Sequence, residues 1–172
     1  MENERDHTKF IIHRFDNYIT GANTKGNFLL AFNIFLCGGI IANYKNLTEL
    51  VLDKSKLLYL NTGLLLLFIV GLISTALIIK AVYPFLNSGN SSKDKYHSLV
   101  FFQSISEYDD DKSFTEAYQK QEDKEVNEDL ARQAYILAKG LSAKYNSLAW
   151  VMRLVYSELI LLLIILIIIT LR

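Results

Sequence analysis

The sequence predicts an all-α membrane protein with about three transmembrane helices, long cytoplasmic helical stalks and a small helical insert. Two observations lead to this fold class. The apolar residues gather in three blocks, 28–44, 57–79 and 151–171, and about 20 apolar residues are enough for a helix to cross a bilayer. The polar stretches that precede the first and third blocks carry apolar residues at the spacing of an amphipathic helix.

The N-terminal stretch, residues 1–27, is polar, but Ile11, Phe15, Tyr18 and Ala22 recur at helical spacing. We therefore expect an amphipathic stalk helix that leads into the first span, residues 28–44. A polar side chain at Asn33 within this span is expected to face another helix or a cavity. Residues 45–56 are predicted to form a short connector.

The second block, residues 57–79, contains no charged residue and is the strongest span in the sequence. Lys80 and Tyr83 mark its exit from the membrane, and Pro84 is expected to end the helix. The polar run at 87–92, which combines Asn, Ser and Gly, predicts a flexible loop.

Residues 83–150 are predicted to form the cytoplasmic insert and a second stalk helix. Ser113 and Glu116 fit a capping box, so a helix is expected to begin at Phe114 and to turn Phe114, Ala117 and Tyr118 inward. The insert is too short to build a core of its own. It is therefore expected to pack on the two stalks as one compact unit.

The second stalk begins near Asp129 and is predicted to continue as one helix through the third span, residues 151–171, because no proline interrupts the run. A stripe at helical spacing predicts its inward face, formed by Leu130, Ala134, Leu137, Leu141, Tyr145 and Leu148. Its polar flank is expected to carry Arg132, Gln133, Lys139 and Lys144.

The distribution of Lys and Arg predicts the topology. Ten of these residues flank the spans on the side of the N-terminus and the insert, and four lie on the other side. Because positive residues are enriched in cytoplasmic loops, the N-terminus and residues 83–150 are predicted to be cytoplasmic.

Several function classes are disfavoured. A net charge of zero argues against binding to a nucleic-acid polymer. His7, His13 and His97 share no metal-ligand spacing, and the sequence contains no glycine-rich phosphate loop and no nucleophile with a base. We therefore expect a protein that is not an enzyme and has neither a metal nor another cofactor.

Three short motifs resemble those of the Pycsar effector transmembrane family. The stalk carries Gln133 and Tyr135 followed by the pair Lys144-Tyr145 just before the last span, as in that family. Lys25 and Asn33 match the entry into its first span, and residues 101–105 resemble its Phe-Phe motif. Two departures stand out: Asn23 occupies a position at which the family commonly has Asp, and Gln103-Ser104 replaces the usual Gly-Asp.

The resemblance implies an antiphage effector of the inner membrane. In such a system a partner cyclase makes a cyclic nucleotide messenger during infection, and the effector then disrupts the membrane. This disruption results in abortive infection. The messenger is expected to bind the cytoplasmic helical part, at a subunit interface of a homo-oligomer. If the family residues at these two positions help to bind the ligand, this chain senses a different ligand or none.

The candidate ligand-binding residues lie on the stalks, because the segment 106–129 contains ten acidic and three basic residues and repels a phosphate diester. Cations and hydrogen-bond donors for the phosphate are expected from Lys25, Arg132, Gln133, Lys139 and Lys144, with Tyr135 or Tyr145 stacking on the base. The alternative is a basic collar with interfacial aromatic residues that bind no ligand.

Polar residues within the spans are candidates for gating. Asn33, Asn61 and Glu158 are expected to face a helix bundle or pore. The alternative is that Glu158 is protonated or reaches the membrane interface. A second hypothesis for the whole chain is a membrane scaffold without gating, whose acidic insert recruits a protein partner.

Overall fold

The computed structural model describes residues 2–84 and 96–170. In this part of the chain the regular elements are five helices: α1 (Glu2–Glu49), α2 (Lys54–Val82), α3 (Phe102–Ile105), α4 (Asp111–Lys120) and α5 (Asp123–Thr170). Three of them, α1, α2 and α5, are long and apolar enough to cross a membrane. The predicted fold class, an all-α protein with three candidate spans, is confirmed.

The chain divides into two compact units. The polar unit comprises Met1–Gly21 and Pro84–Ala143, and the apolar unit comprises Ala22–Tyr83 and Lys144–Arg172. Helices α1 and α5 contribute residues to both units, whereas α2 belongs to the apolar unit.

In the polar unit, the insert is anchored on the first part of α5. The start of α1 is held to the same helix by Arg5, whose guanidinium donates to the Asp123 carboxylate at 2.5 Å and to Asn127 Oδ1 at 3.5 Å. Phe114 of α4 meets the Tyr108 ring edge-on, with centroids 5.5 Å apart. Aromatic contacts of this kind stabilise short elements that bury little aliphatic surface.

In the apolar unit, three buried clusters run along the helices. Near one end of α2, Leu60, Leu64 and Leu67 pack with Ile165 of α5. Near the other end, α2 residues pack with early α5 residues and with α1, in clusters formed by Ile78, Val151, Val155, Ala22, Ala81 and Leu148. The membrane segments of α1 and α5 therefore run in the same direction, opposite to α2.

Two glycines allow helices to approach closely in the apolar unit. A Cβ at Gly26 of α1 would lie 2.3 Å from Val82 Cγ1, and one at Gly71 of α2 would lie 2.7 Å from Cys37 Sγ. By contrast, a Cβ at Gly38 meets no atom within 4 Å. Gly26 and Gly71 are therefore at tighter contacts than Gly63, whose Cβ would lie 3.2 Å from Ile165 Cγ1.

Helix boundaries differ from the predicted ones where local hydrogen bonds extend a helix. α1 continues through the predicted connector to Glu49, and α2 begins at Lys54, where the Asp53 carboxylate accepts from the Ser55 amide at 2.8 Å. α5 begins six residues before the predicted start, at Asp123. The polar loop predicted at 87–92 lies outside the described residues, as does the last residue of the predicted third span.

The predicted capping box was wrong by one turn. Asp110 is the N-cap of α4: its carboxylate accepts from the Ser113 amide at 2.7 Å, and the Ser113 hydroxyl accepts from the Asp110 amide at 3.3 Å. Asp is as good an N-cap as Ser, and Ser113 serves here as the reciprocal residue. Of the three residues predicted to turn inward, Phe114 and Ala117 are half-buried, but Tyr118 is exposed.

The inward faces of both stalks also differ from prediction at one tyrosine each. On α1, Tyr18 is 40% exposed and its hydroxyl accepts from Arg14 Nε at 2.9 Å, while Ile19 turns inward. On α5, Tyr145 is exposed and Lys144 is buried. A hydrophobicity pattern predicts that tyrosine is buried and lysine is exposed. It therefore fails at Lys144, which is buried because its ammonium finds hydrogen-bond acceptors inside the unit.

Candidate functional site

A buried carboxylate organises the polar unit. Asp129, on the second turn of α5, is 4% exposed. It accepts hydrogen bonds from the Tyr96 hydroxyl, from Ser98 Oγ at 2.8 Å and from the Leu99 amide at 2.8 Å. Three donors satisfy a buried carboxylate without a counter-ion. Asp129 therefore fastens the segment before α3 to α5.

The same segment is shaped by Ser98, which is fully buried. Its hydroxyl oxygen accepts from the amides of Val100 and Phe101 at 3.3 and 3.1 Å, which is a local turn typical of serine. This turn starts α3 and leaves Phe102 64% exposed. The Phe-Phe motif thus presents one ring to the surface and packs the other.

Two predicted ligand residues lie at this network. Gln133, 5% exposed, donates from Nε2 to the Tyr96 hydroxyl at 3.1 Å. The Arg132 guanidinium carbon lies 4.6 Å from the centre of the Tyr96 ring, a cation–π contact. Burial, together with the hydrogen bond to Asp129, raises the pKa of Tyr96 above its ordinary value, so the phenol stays a donor at neutral pH.

An open cavity of about 430 Å³ lies beside this network. Its lining includes Tyr96, Asp129 and Arg132, and it is completed by His97, Leu99, Ala117, Lys120, Gln121, Glu125 and Glu128. Three carboxylates face Lys120 and Arg132 here, so the charge is far closer to balance than across the acidic segment as a whole. The lining still carries one more negative than positive charge, which repels an anion less than the excess of seven negative charges across segment 106–129.

Another cavity of the polar unit, about 680 Å³, lies between the start of α1 and α5. It is lined by Asn3, Glu4, His7, Thr8, Lys124, Asn127, Glu128 and Ala131. None of the predicted ligand residues lines it, and Lys124 is already paired with Glu128 at 3.9 Å. The smaller cavity, which contains Arg132, is the better candidate site.

Lys144 occupies a different environment, in the apolar unit. Its ammonium donates to Ala81 O at 2.7 Å, to Tyr83 O at 3.0 Å and to Asn23 Oδ1 at 3.1 Å. The carbonyls of Ala81 and Tyr83 lie at the C-terminal end of α2, where a cation is favoured by the helix dipole and by unpaired carbonyl groups. Burial lowers the pKa of Lys144. All three donors of the ammonium are therefore used to join α1, α2 and α5.

The remaining predicted ligand residues lie on exposed surface. Lys25 is exposed, and Tyr135 is 63% exposed with the Lys139 ammonium 5.5 Å from its ring centre. Tyr145 is 39% exposed. Of the seven predicted residues, the structure brings Arg132 and Gln133 together at one network, pairs Tyr135 with Lys139, and buries Lys144 elsewhere.

A second polar cluster lies inside the apolar unit. Asn33 of α1, Ser74 of α2 and Glu158 of α5 are all 0% exposed. Asn33 Nδ2 donates to Leu29 O at 3.3 Å and to Ser74 Oγ at 3.4 Å, and the Ser74 hydroxyl lies next to the Glu158 carboxylate. Asn33 and Glu158 thus share one cluster with Ser74. Asn61 does not join them, because its Oδ1 accepts from the Tyr44 hydroxyl at 3.1 Å.

Sequence reasoning missed Tyr96, Ser98, Asp129 and Ser74 as site residues. Asp129 was one acid among ten, and nothing in the sequence distinguishes the one that becomes buried. Ser74 had a usable signal, because a serine within an apolar helix tends to bond across to a neighbouring helix. Among the described residues, no three His, Cys, Asp or Glu side chains converge in a way that could hold a metal ion.

The comparison with known protein families agrees with this architecture. The Pycsar effector protein domain matches residues 7–171, which is nearly the whole chain. No curated protein and no solved structure matches the chain. Since the match runs through all three candidate spans and both stalks, the chain belongs to the Pycsar effector family of antiphage defence proteins, which act in cyclic nucleotide signalling.

Proposed function

We propose that the protein is a ligand-gated effector that senses a cyclic nucleotide with its polar unit and then permeabilises the bacterial inner membrane. The polar unit is cytoplasmic in this proposal, in keeping with the bias of Lys and Arg around the spans. The protein works as a homo-oligomer and carries out no catalysis. The observation that carries the proposal is the cavity beside Arg132, which is built on α5.

The ligand contacts follow from the lining of this cavity. Arg132 is the best hydrogen-bond donor to a phosphate group, because its planar guanidinium can bind two phosphate oxygens. Its stacking on the Tyr96 ring fixes the direction of the guanidinium. Lys120 adds a second positive charge, although it now pairs with Glu116 at 3.5 Å. Glu125 and Glu128 are acceptors that suit the amino group of a nucleobase.

The route from ligand to membrane is α5 itself. This helix is unbroken from Asp123 to Thr170. Asp129 and Arg132 lie near its N-terminal end, and Glu158 lies in its membrane-spanning part. A ligand that rearranges the Tyr96–Asp129 network changes the packing of α5. A rotation or shift of a continuous helix is passed along its length.

The test is the thermal stability of the purified full-length protein in detergent, measured against cyclic mono-, di- and trinucleotides. A ligand that binds only the folded state stabilises it by RT ln(1 + L/Kd), where L is the concentration of free ligand, so the melting temperature rises with the ligand concentration. We expect one class of cyclic nucleotide to do so. Arg132→Gln should weaken the affinity about tenfold or more, since hydrogen bonds to charged groups contribute about 1.5–3 kcal/mol.

Lys139→Gln is the matched control, because Lys139 is an exposed cation on the same helix that does not line the cavity. A ligand shift of equal size in both variants contradicts the assignment of this cavity. The absence of any shift across the whole panel contradicts the sensor itself.

The scaffold hypothesis keeps one supporting observation, the exposed acids Glu107, Asp109 and Asp111 before and at the start of α4. They are well placed to attract a basic protein. Neutralising them should abolish partner capture without changing permeability if the scaffold hypothesis is right. In the effector proposal the same change leaves ligand-triggered leakage intact.

A further inference from the structure

Three helices meet at one buried point of the apolar unit, and two of them, α1 and α5, bring unpaired acceptor oxygens to it. Asn33 Oδ1 and both carboxylate oxygens of Glu158 are buried without a hydrogen bond of normal geometry from a described residue, although the Ser74 hydroxyl lies beside the carboxylate. The side chains that carry them are 0% exposed. Buried acceptors are almost always paired in folded proteins, and a carboxylate in a membrane demands a partner more strongly than any other.

The cluster sits at one level of the three spans. Counted from the predicted span boundaries, Asn33 is five residues after residue 28, Ser74 five before residue 79, and Glu158 seven after residue 151. At about 1.5 Å per residue, each lies roughly 8–10 Å inside a hydrocarbon core of about 30 Å. At that depth lipid supplies neither a donor nor a counter-ion.

The neighbouring side chains do not neutralise Glu158. On α1 the closest titratable group is Cys37, which also packs against Gly71, and α2 presents Gly71 and Ser74, which carry no charge. Arg153 is the nearest basic residue along α5, but its guanidinium stacks on Trp150 at 4.5 Å and it is exposed. Among the described residues Glu158 forms no ion pair.

We propose that Asn33, Ser74 and Glu158 form a binding site for one small monovalent cation, a proton or a sodium ion, within the membrane bundle. The Glu158 carboxylate supplies the charge, Asn33 Oδ1 supplies a neutral oxygen, and the Ser74 hydroxyl adjusts to either occupant because it both donates and accepts. Bound cation holds α1, α2 and α5 together at this level. The site is separate from the nucleotide cavity and does not depend on the messenger.

The test measures the melting temperature of the full-length protein in lipid nanodiscs without any nucleotide. One series raises sodium chloride at constant pH, with choline chloride keeping the ionic strength fixed. The other lowers the pH in choline chloride alone. We expect one of the two cations to raise the melting temperature of the wild type. The series that responds identifies the occupant.

Glu158→Gln, which keeps the size of the side chain and removes its charge, should abolish that response. Asn33→Leu removes one oxygen without changing charge, and it should raise the cation concentration for half-maximal stabilisation at least about threefold. If the Glu158→Gln protein does not fold, Asn33→Leu still tests the site. Thr62→Val is the matched control, an exposed hydroxyl of α2 outside the cluster, and it should respond like the wild type.

Stabilisation of the wild type by neither cation overturns the site. The same is true if Glu158→Gln retains the full response, because the cation then binds elsewhere. Neither result bears on the sensing of a nucleotide, which is measured separately.

Discussion

At the scale of single residues, the stability of the apolar unit depends on Lys144. Its ammonium serves three acceptors on two other helices, including Ala81 O and Tyr83 O at the end of α2. Lys144 belongs to α5, but its ammonium caps the C-terminal end of α2 as a basic residue in the last turn of α2 would. Lys144, predicted as a ligand residue, therefore has a structural role that accounts for all its hydrogen bonds.

Replacing Lys144 with Met should destabilise the protein by about 1–3 kcal/mol, because the carbonyls of Ala81 and Tyr83 lose their donor. The measurement is unfolding of the detergent-purified protein by heat or denaturant. Lys139→Met is the control, since this exposed lysine lies over the Tyr135 ring and donates to no carbonyl of α2, and it should cost less than about 1 kcal/mol. Equal losses in the two variants contradict the capping role.

How far the sequence predicts individual residues depends on what buries them. Asn33 and Glu158 were predictable, because a polar side chain in an apolar block must turn towards other helices. Lys144 and Tyr145 were not, because the pattern weighs hydrophobicity and cannot count the carbonyls that a lysine will meet. Asp129 was equally hidden, since its three donors come from a segment about 30 residues away in the chain.

At the scale of elements, the existence of the long helices follows from their apolar blocks, but their ends do not. Capping decides the ends: Asp53 starts α2, and the reciprocal pair Asp110–Ser113 starts α4. The sequence predicted a box that begins at Ser113, whereas the structure uses the one that begins at Asp110. α1 continues to Glu49 because the predicted connector contains neither proline nor glycine.

The close approach of α1 and α2 gives a sharp prediction for Gly26. A Cβ added there would lie 2.3 Å from Val82 Cγ1, so Gly26→Ala should lower the melting temperature despite the better helix propensity of alanine. Gly38→Ala in the same helix is the control, since its Cβ meets no atom within 4 Å and it should leave the stability unchanged or improved.

The double variant Gly26→Ala/Val82→Ala should recover part of the loss, because it removes the atom that clashes. The thermal unfolding midpoint of each purified protein checks all three expectations. If Gly26→Ala is as stable as the wild type, the two helices do not approach in this way.

At the scale of the whole molecule, the proposed function depends on α5, which would couple the proposed sensing to the membrane. It carries Asp129, Arg132, Lys144 and Glu158 on one continuous helix. The sequence already indicated this continuity, because no proline lies between Asp129 and Leu171. The cavity could not be predicted in the same way, because it forms only when the insert folds back onto α5.

The most direct test of the account is ligand-triggered leakage from proteoliposomes that contain a variant with a flexible Gly-Ser linker between Trp150 and Val151. We expect this variant to bind its cyclic nucleotide with the affinity of the wild type, because the cavity is intact, and to cause no leakage. The same linker inserted into the connector before α2, at residues 50–53, is the control and should leave leakage intact. Undiminished leakage from the α5 variant contradicts transmission through this helix.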